Sequence, residues 1–155
     1  MPPRLGQLYP TTFAGTPPHM AGRDLGIWAL WRKQLPFPYQ GFYFDVALGT
    51  PPPDDPALHP GTNIAWAFLL ASRLDALGSL PREWHIIELR RGADKAAVGT
   101  LKGYAFLWKR DPPDSNPVRM ILVTDLMDPE ARAFAESEGI TVFEIAGREK
   151  PPIPT

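Results

Sequence analysis

LASRLDALGSLPREWHIIELR, residues 70–90, is the stretch on which the fold turns. In its second half Trp84, Ile86, Glu88 and Arg90 alternate with His85, Ile87 and Leu89, the period-two pattern of a strand. The first half is less decisive. The run from Ile64 to Gly78 has a length and apolarity that suit either a buried helix or a strand. Gly78-Ser79 and Pro81 turn the chain directly into WHIIELR, which favours a strand over Leu70 to Leu77 and so a hairpin. In that hairpin Asp75 lies near the end of one strand, and Glu88 lies mid-way along the next. Glu88 and Arg90 are two apart, so an acid and a cation share one face of the sheet.

Outward from the hairpin, Leu25, Trp28, Trp31 and Leu35 predict an amphipathic helix over 19–35, ending before Pro36. The two tryptophans on its stripe read as core. GFYFDVALG, residues 41–49, predicts a strand with Phe42, Phe44, Val46 and Leu48 on one side and Tyr43, Asp45 and Ala47 on the other. Ala97, Leu101, Tyr104 and Trp108 predict a helix over 93–109, stopped by Pro112-Pro113. VRMILVTD reads as a buried strand. Asp128-Pro129 is an N-cap followed by a proline at the first helical position, Gly139 sits where a C′ glycine belongs, and ITVFEI is the last strand. The order predicts a mixed α/β (α+β) fold, an α-β-β-β-α-β core plus a C-terminal α-β unit, with helices on the sheet faces. One domain over 19–148 is expected, between Pro-rich segments at 1–18 and 149–155.

Those segments follow from proline placement. Of 20 prolines in 155 residues, twelve precede residue 61, and only Pro81 falls within 61–111. The ends read as arms that leave the body, either as free tails or to order against a neighbouring subunit. In the second case Leu5, Leu8, Tyr9, Phe13 and Ile153 are the expected interface residues. A net charge of −1 gives no global attraction to nucleic acid, so any such binding needs a local patch. The absence of cysteine excludes disulfides, thiolate metal sites and cysteine nucleophiles. No apolar run approaches the roughly 18 residues of a membrane span, and the Pro-rich start is no signal peptide. A soluble, unexported protein is expected.

Asp75, the hairpin, Glu88-Leu89-Arg90 and the following helix with AAVGTLKGY together resemble the PD-(D/E)XK superfamily of restriction-endonuclease-like folds. The resemblance spans roughly 68–145, closing with ILVTD and EARAFAESEGITVFEI. It implies that Asp75 and Glu88 hold a divalent metal such as Mg²⁺ and that Asp75, Glu88 and Arg90 are the catalytic residues, with Arg90 where the family has lysine. Thr100 stands where the helix motif often has glutamine. Arginine can stabilise phosphate charge but is too strong a base to give up its proton. The layout is also similar to short proteins of tailed phages, some of which sit near the head–tail junction.

Two functions follow as expectations. The first is a non-catalytic structural or adaptor component of a phage particle, needing no cofactor, whose partners are copies of itself and other virion proteins. The second is a Mg²⁺-dependent endonuclease acting on DNA. Location in a virion or host cytoplasm suits both. Beside both stands a plain salt-bridge cluster of Asp75, Glu88 and Arg90. Arg91, Lys95, Lys102 and Lys109 read as a solvated helix face or as a rim for phosphates. Asp45 reads as a surface or capping acid. His19, His59 and His85 have no metal-ligand spacing, and no nucleophile elbow, Walker loop or dinucleotide fingerprint is present.

Overall fold

The computed structural model describes residues 1–20, 22–50, 53–63 and 72–145. The expected C-terminal arm, with Ile153, lies outside these residues. Among the described residues, helices α1 (Gly22–Trp31), α2 (Lys95–Arg110) and α3 (Pro129–Ser137) join strands β1 (Gly41–Leu48), β2 (Ser72–Ser79), β3 (Trp84–Arg90), β4 (Val118–Thr124) and β5 (Ile140–Glu144). The strands form one sheet in sequence order. β1–β2 and β2–β3 are antiparallel, whereas β3–β4 and β4–β5 are parallel. The mixed α/β fold read from the sequence is the fold observed. None of the described helices is long and apolar enough to cross a membrane.

Two cores form, one on each face of the sheet. Ile27, Trp28 and Trp31 of α1 pack on Phe42, Phe44, Ala76, Ile87, Leu89, Ile121 and Val123. Ala97, Val98, Leu101 and Trp108 of α2 and Ala131 and Ala135 of α3 cover the other face, over Ile86, Leu122 and Val142. α1 is shorter than the 19–35 expected. Positive φ at His19 keeps the preceding chain out of the helix. At the other end, bonds from Lys33 N–H to Leu30 and from Gln34 N–H to Trp31 tighten the chain into turns before Pro36. α3 starts as its sequence demands: Asp128 accepts from the Glu130 and Ala131 N–H groups, and Gly139 closes the helix at φ +80°.

The expected alternation of β1 fails at its centre. Phe42 and Phe44 face the α1 core, but Val46 and Leu48 face the α2 core. The cause is Asp45, which takes a left-handed φ of +53° and reverses the faces of everything after it. β2 makes the matching switch, with Leu74 and Leu77 on the α2 side and Ala76 on the α1 side. The β1–β2 ladder skips Asp45 and Asp75, pairing Phe44 with Ala76 and Val46 with Leu74. Arg73 Nη1 secures the kink, donating to the Asp45 carbonyl and carboxylate at 3.1 Å each.

The N-terminal segment lies along the outer edge of β1. The Tyr9 and Phe42 backbones exchange N–H···O bonds of 2.8 Å in both directions, and Arg4 N–H donates to Ala47 at 3.1 Å. Leu5 packs against the α2 core, and Tyr9 and Phe13 against the α1 core. Of the four N-terminal interface candidates, Leu8 alone is largely exposed, at 44%. The arm thus covers the edge of its own sheet, which would otherwise offer unpaired backbone groups.

Candidate functional site

The β2–β3 ladder runs from Ser79–Trp84 to Ala76–Ile87 and stops there. Asp75 is the first residue beyond it, at the level of the β1–β2 kink. Its Oδ2 accepts the Leu89 N–H at 2.9 Å, so a side chain takes over where the strand backbone has turned away. Where the strands part, a cleft of about 580 Å³ opens, lined by Arg23 and Asp24 of α1, Asp75, and residues 88–91.

Glu88 is only 6% exposed. Its Oε1 accepts from Arg90 Nη2 at 2.8 Å. Its Oε2 is buried without a donor; the other unpartnered buried side-chain polar atoms among the described residues are three indole nitrogens. Burial pushes the Glu88 carboxyl well above the usual range and the charge of Asp75 adds to the rise, while Arg90 opposes it. Asp75 is raised too, first by burial, against the Leu89 N–H bond that favours its ionised form. Each carboxyl bears on the titration of the other. Ionised carboxylates only accept, so the two oppose each other unless one of the pair keeps a proton.

Three further groups belong here. Asp24, in the first turn of α1, adds to the rise at Asp75 and is itself raised by burial, with Arg23 and Arg90 opposing. Tyr104 of α2 has its hydroxyl pushed up by burial and then by the charges of Glu88 and Asp75. Arg91, at the cleft mouth, lies 3.7 Å from Asp125. Asp125 also accepts the Gly92 N–H at 2.7 Å, and Thr124 accepts the Ala93 N–H at 3.2 Å, fixing the turn that carries Arg90 and Arg91 into α2.

Asp75, Glu88 and Arg90 are therefore together, as their spacing predicts. Thr100 is not among the cleft-lining residues, and its hydroxyl donates to Ala96 O on its own helix at 3.1 Å. Asp45 is held by Arg73 on the neighbouring strand. Asp24 and Arg23 were not legible, because nothing in GRDLG ties it to a hairpin so far along the chain. Among the described residues, no group of three or more His, Cys, Asp or Glu side chains is arranged to hold a metal ion. A pair of carboxylates with one oxygen lacking a donor still suits a hard cation that keeps most of its ligands as water or phosphate oxygen.

Fold and site define a mixed α/β protein with an acidic pair in an arginine-flanked cleft. The chain matches no protein-family model, no curated protein and no solved structure.

Proposed function

We propose that the cleft is a divalent-cation-dependent phosphodiester site acting on nucleic acid, of the PD-(D/E)XK kind. The observation that carries this reading is Glu88 Oε2, a buried carboxylate oxygen without a donor, set beside Asp75 in a solvent-open cleft. Two acids crowded in this way destabilise the fold when ionised, and such pairs concentrate at functional sites. Asp75 and Glu88 would hold the cation, Mg²⁺ in the simplest case, which supplies Lewis-acid stabilisation and an activated water. The chain's own groups do the rest. Arg90 keeps its charge at every working pH, so it offsets charge on a phosphate instead of moving a proton. Arg23 and Arg91 extend that cationic rim. Asp75, tied to the Leu89 backbone, keeps the acids in register.

A second reading, a nuclease-fold adaptor without catalysis in a phage particle, is favoured by one contact. Arg90 already occupies Glu88 Oε1 at 2.8 Å, as in a closed salt bridge. An assembly contact through the N-terminal arm now rests on exposed Leu8, since Leu5, Tyr9 and Phe13 pack within their own chain. The deciding experiment incubates the full chain with plasmid and linear DNA plus Mg²⁺ or Mn²⁺, beside Glu88→Ala. Cleavage lost in the variant supports the phosphodiester site. No cleavage above the variant supports the adaptor.

A further inference from the structure

Among the described residues, the outward face of α2 is exposed and takes no part in lining the cleft. At 3.6 residues per turn, Lys95, Gly99, Lys102, Phe106, Lys109 and Arg110 fall within an arc of about 100°, opposite the buried stripe of Ala97, Leu101 and Trp108. The helix KAAVGTLKGYAFLWKR carries four cations and no acid in a chain of net charge −1. Lys102 pairs with Glu138, but Lys95, Lys109 and Arg110 form no ion pair among the described residues. Between these cations stands Phe106, 64% exposed, with the Arg110 guanidinium 5.8 Å from its ring centre.

The glycines make the same face flat. A Cβ at Gly99 or Gly103 would meet nothing within 4 Å, so alanine would fit and would favour the helix. Among the described residues, nothing fills the space of the missing methyl groups. A ligand lying close along the helix would. Arg91, at the cleft mouth, precedes α2 by one short turn, so the cations run from the cleft along about 21 Å of helix.

We infer that this face binds single-stranded nucleic acid, cations on its phosphates and Phe106 on a base, and leads the strand toward the cleft. This rests on the phosphodiester reading of the cleft. Charge complementarity selects a polyanion, and an exposed ring among cations selects one with unpaired, stackable bases. In duplex DNA those base faces are covered.

The test measures fluorescence anisotropy of a labelled oligothymidylate with the full chain in EDTA, across a salt series. Lys95→Gln/Lys109→Gln/Arg110→Gln should weaken binding and reduce the log–log salt slope by about 2, since each neutralised phosphate contributes about 0.7 on single strands. Phe106→Ala should weaken binding at least about fivefold with the slope unchanged. Gly99→Ala should weaken binding while stabilising the chain, an outcome that misfolding cannot mimic. No oligothymidylate binding, binding unchanged in the triple variant, or tighter binding of the matching duplex each overturns the proposal. Equal binding of polyglutamate with Phe106→Ala silent also overturns it, in favour of an acidic protein partner. Cleavage that needs Glu88 beside binding indifferent to α2 would sink this inference alone. Binding that needs α2 without any cleavage would sink the catalytic reading of the cleft alone.

Discussion

β3 carries two buried polar clusters, one near each end, and they are built on opposite terms. Near its start, His85 is 0% exposed and fully partnered. Its Nε2 lies 2.8 Å from Glu83 Oε1 and its Nδ1 2.7 Å from the Tyr39 hydroxyl. A carboxylate only accepts, so Nε2 carries the hydrogen and, in the neutral ring, Nδ1 accepts from Tyr39. Phe37 and Tyr39 meet the imidazole edge-to-face, and Arg119 lies 3.7 Å from Glu83. Near the other end, Glu88 shares its burial with another acid and has one oxygen without a donor. The difference separates roles. A closed network fixes the strands, whereas an open one costs stability and is the arrangement expected where a ligand binds.

The closed cluster is most sensitive at Gly78. A Cβ there would sit 2.3 Å from Tyr39 Cε1, so Gly78→Ala must displace the ring that seals His85. A loss of about 3 kcal/mol in chemical denaturation is expected. A variant of parental stability would mean that the closed cluster is not rigid.

The pH dependence sharpens the contrast, because the clusters have opposite signs. Glu88 is raised to about 8 and Asp75 to about 6. Between the unfolded values near 4 and these folded values, the folded chain holds more protons than the unfolded one. Stability in EDTA should therefore fall as pH rises from about 5 to 9. Glu88→Gln should remove most of that fall and stabilise the chain by about 2 kcal/mol at pH 9. His85 is lowered, first by burial and against the pull of Glu83, so its contribution is lost as pH falls below its ordinary value of 6.5. Denaturation midpoints across pH 5–9 for the two chains check both arms. An alkaline arm that survives Glu88→Gln would remove the acid pair as its source.

Smaller effects follow. Tyr39→Phe leaves His85 Nδ1 without its donor and should cost about 1–2 kcal/mol at pH 7. Gly99→Ala, on the open face of α2, should add about 0.5–1 kcal/mol to stability.

Much of this was legible in the sequence, and the gaps have physical causes. The hairpin acids could be read because a short turn leaves little freedom in how its strands pair. The helices could be read from their stripes and caps. Asp45 reads as an ordinary outward residue of β1, since its left-handed φ is imposed by a kink shared with β2 and leaves no local mark. Asp24 needed the packing of α1 on the sheet before it could be placed near Asp75. The N-terminal arm reads as detached because of its prolines. Yet Arg4 and Tyr9, between Pro3 and Pro10, keep the N–H groups that bind the β1 edge.

If the open cluster is a cation site, titration calorimetry of the full chain with Mn²⁺ at pH 8 should show a saturable site that is absent from Glu88→Ala. Saturation equal in both chains, or absent from both, would leave Asp75, Glu88 and Arg90 as a salt-bridge cluster of the fold.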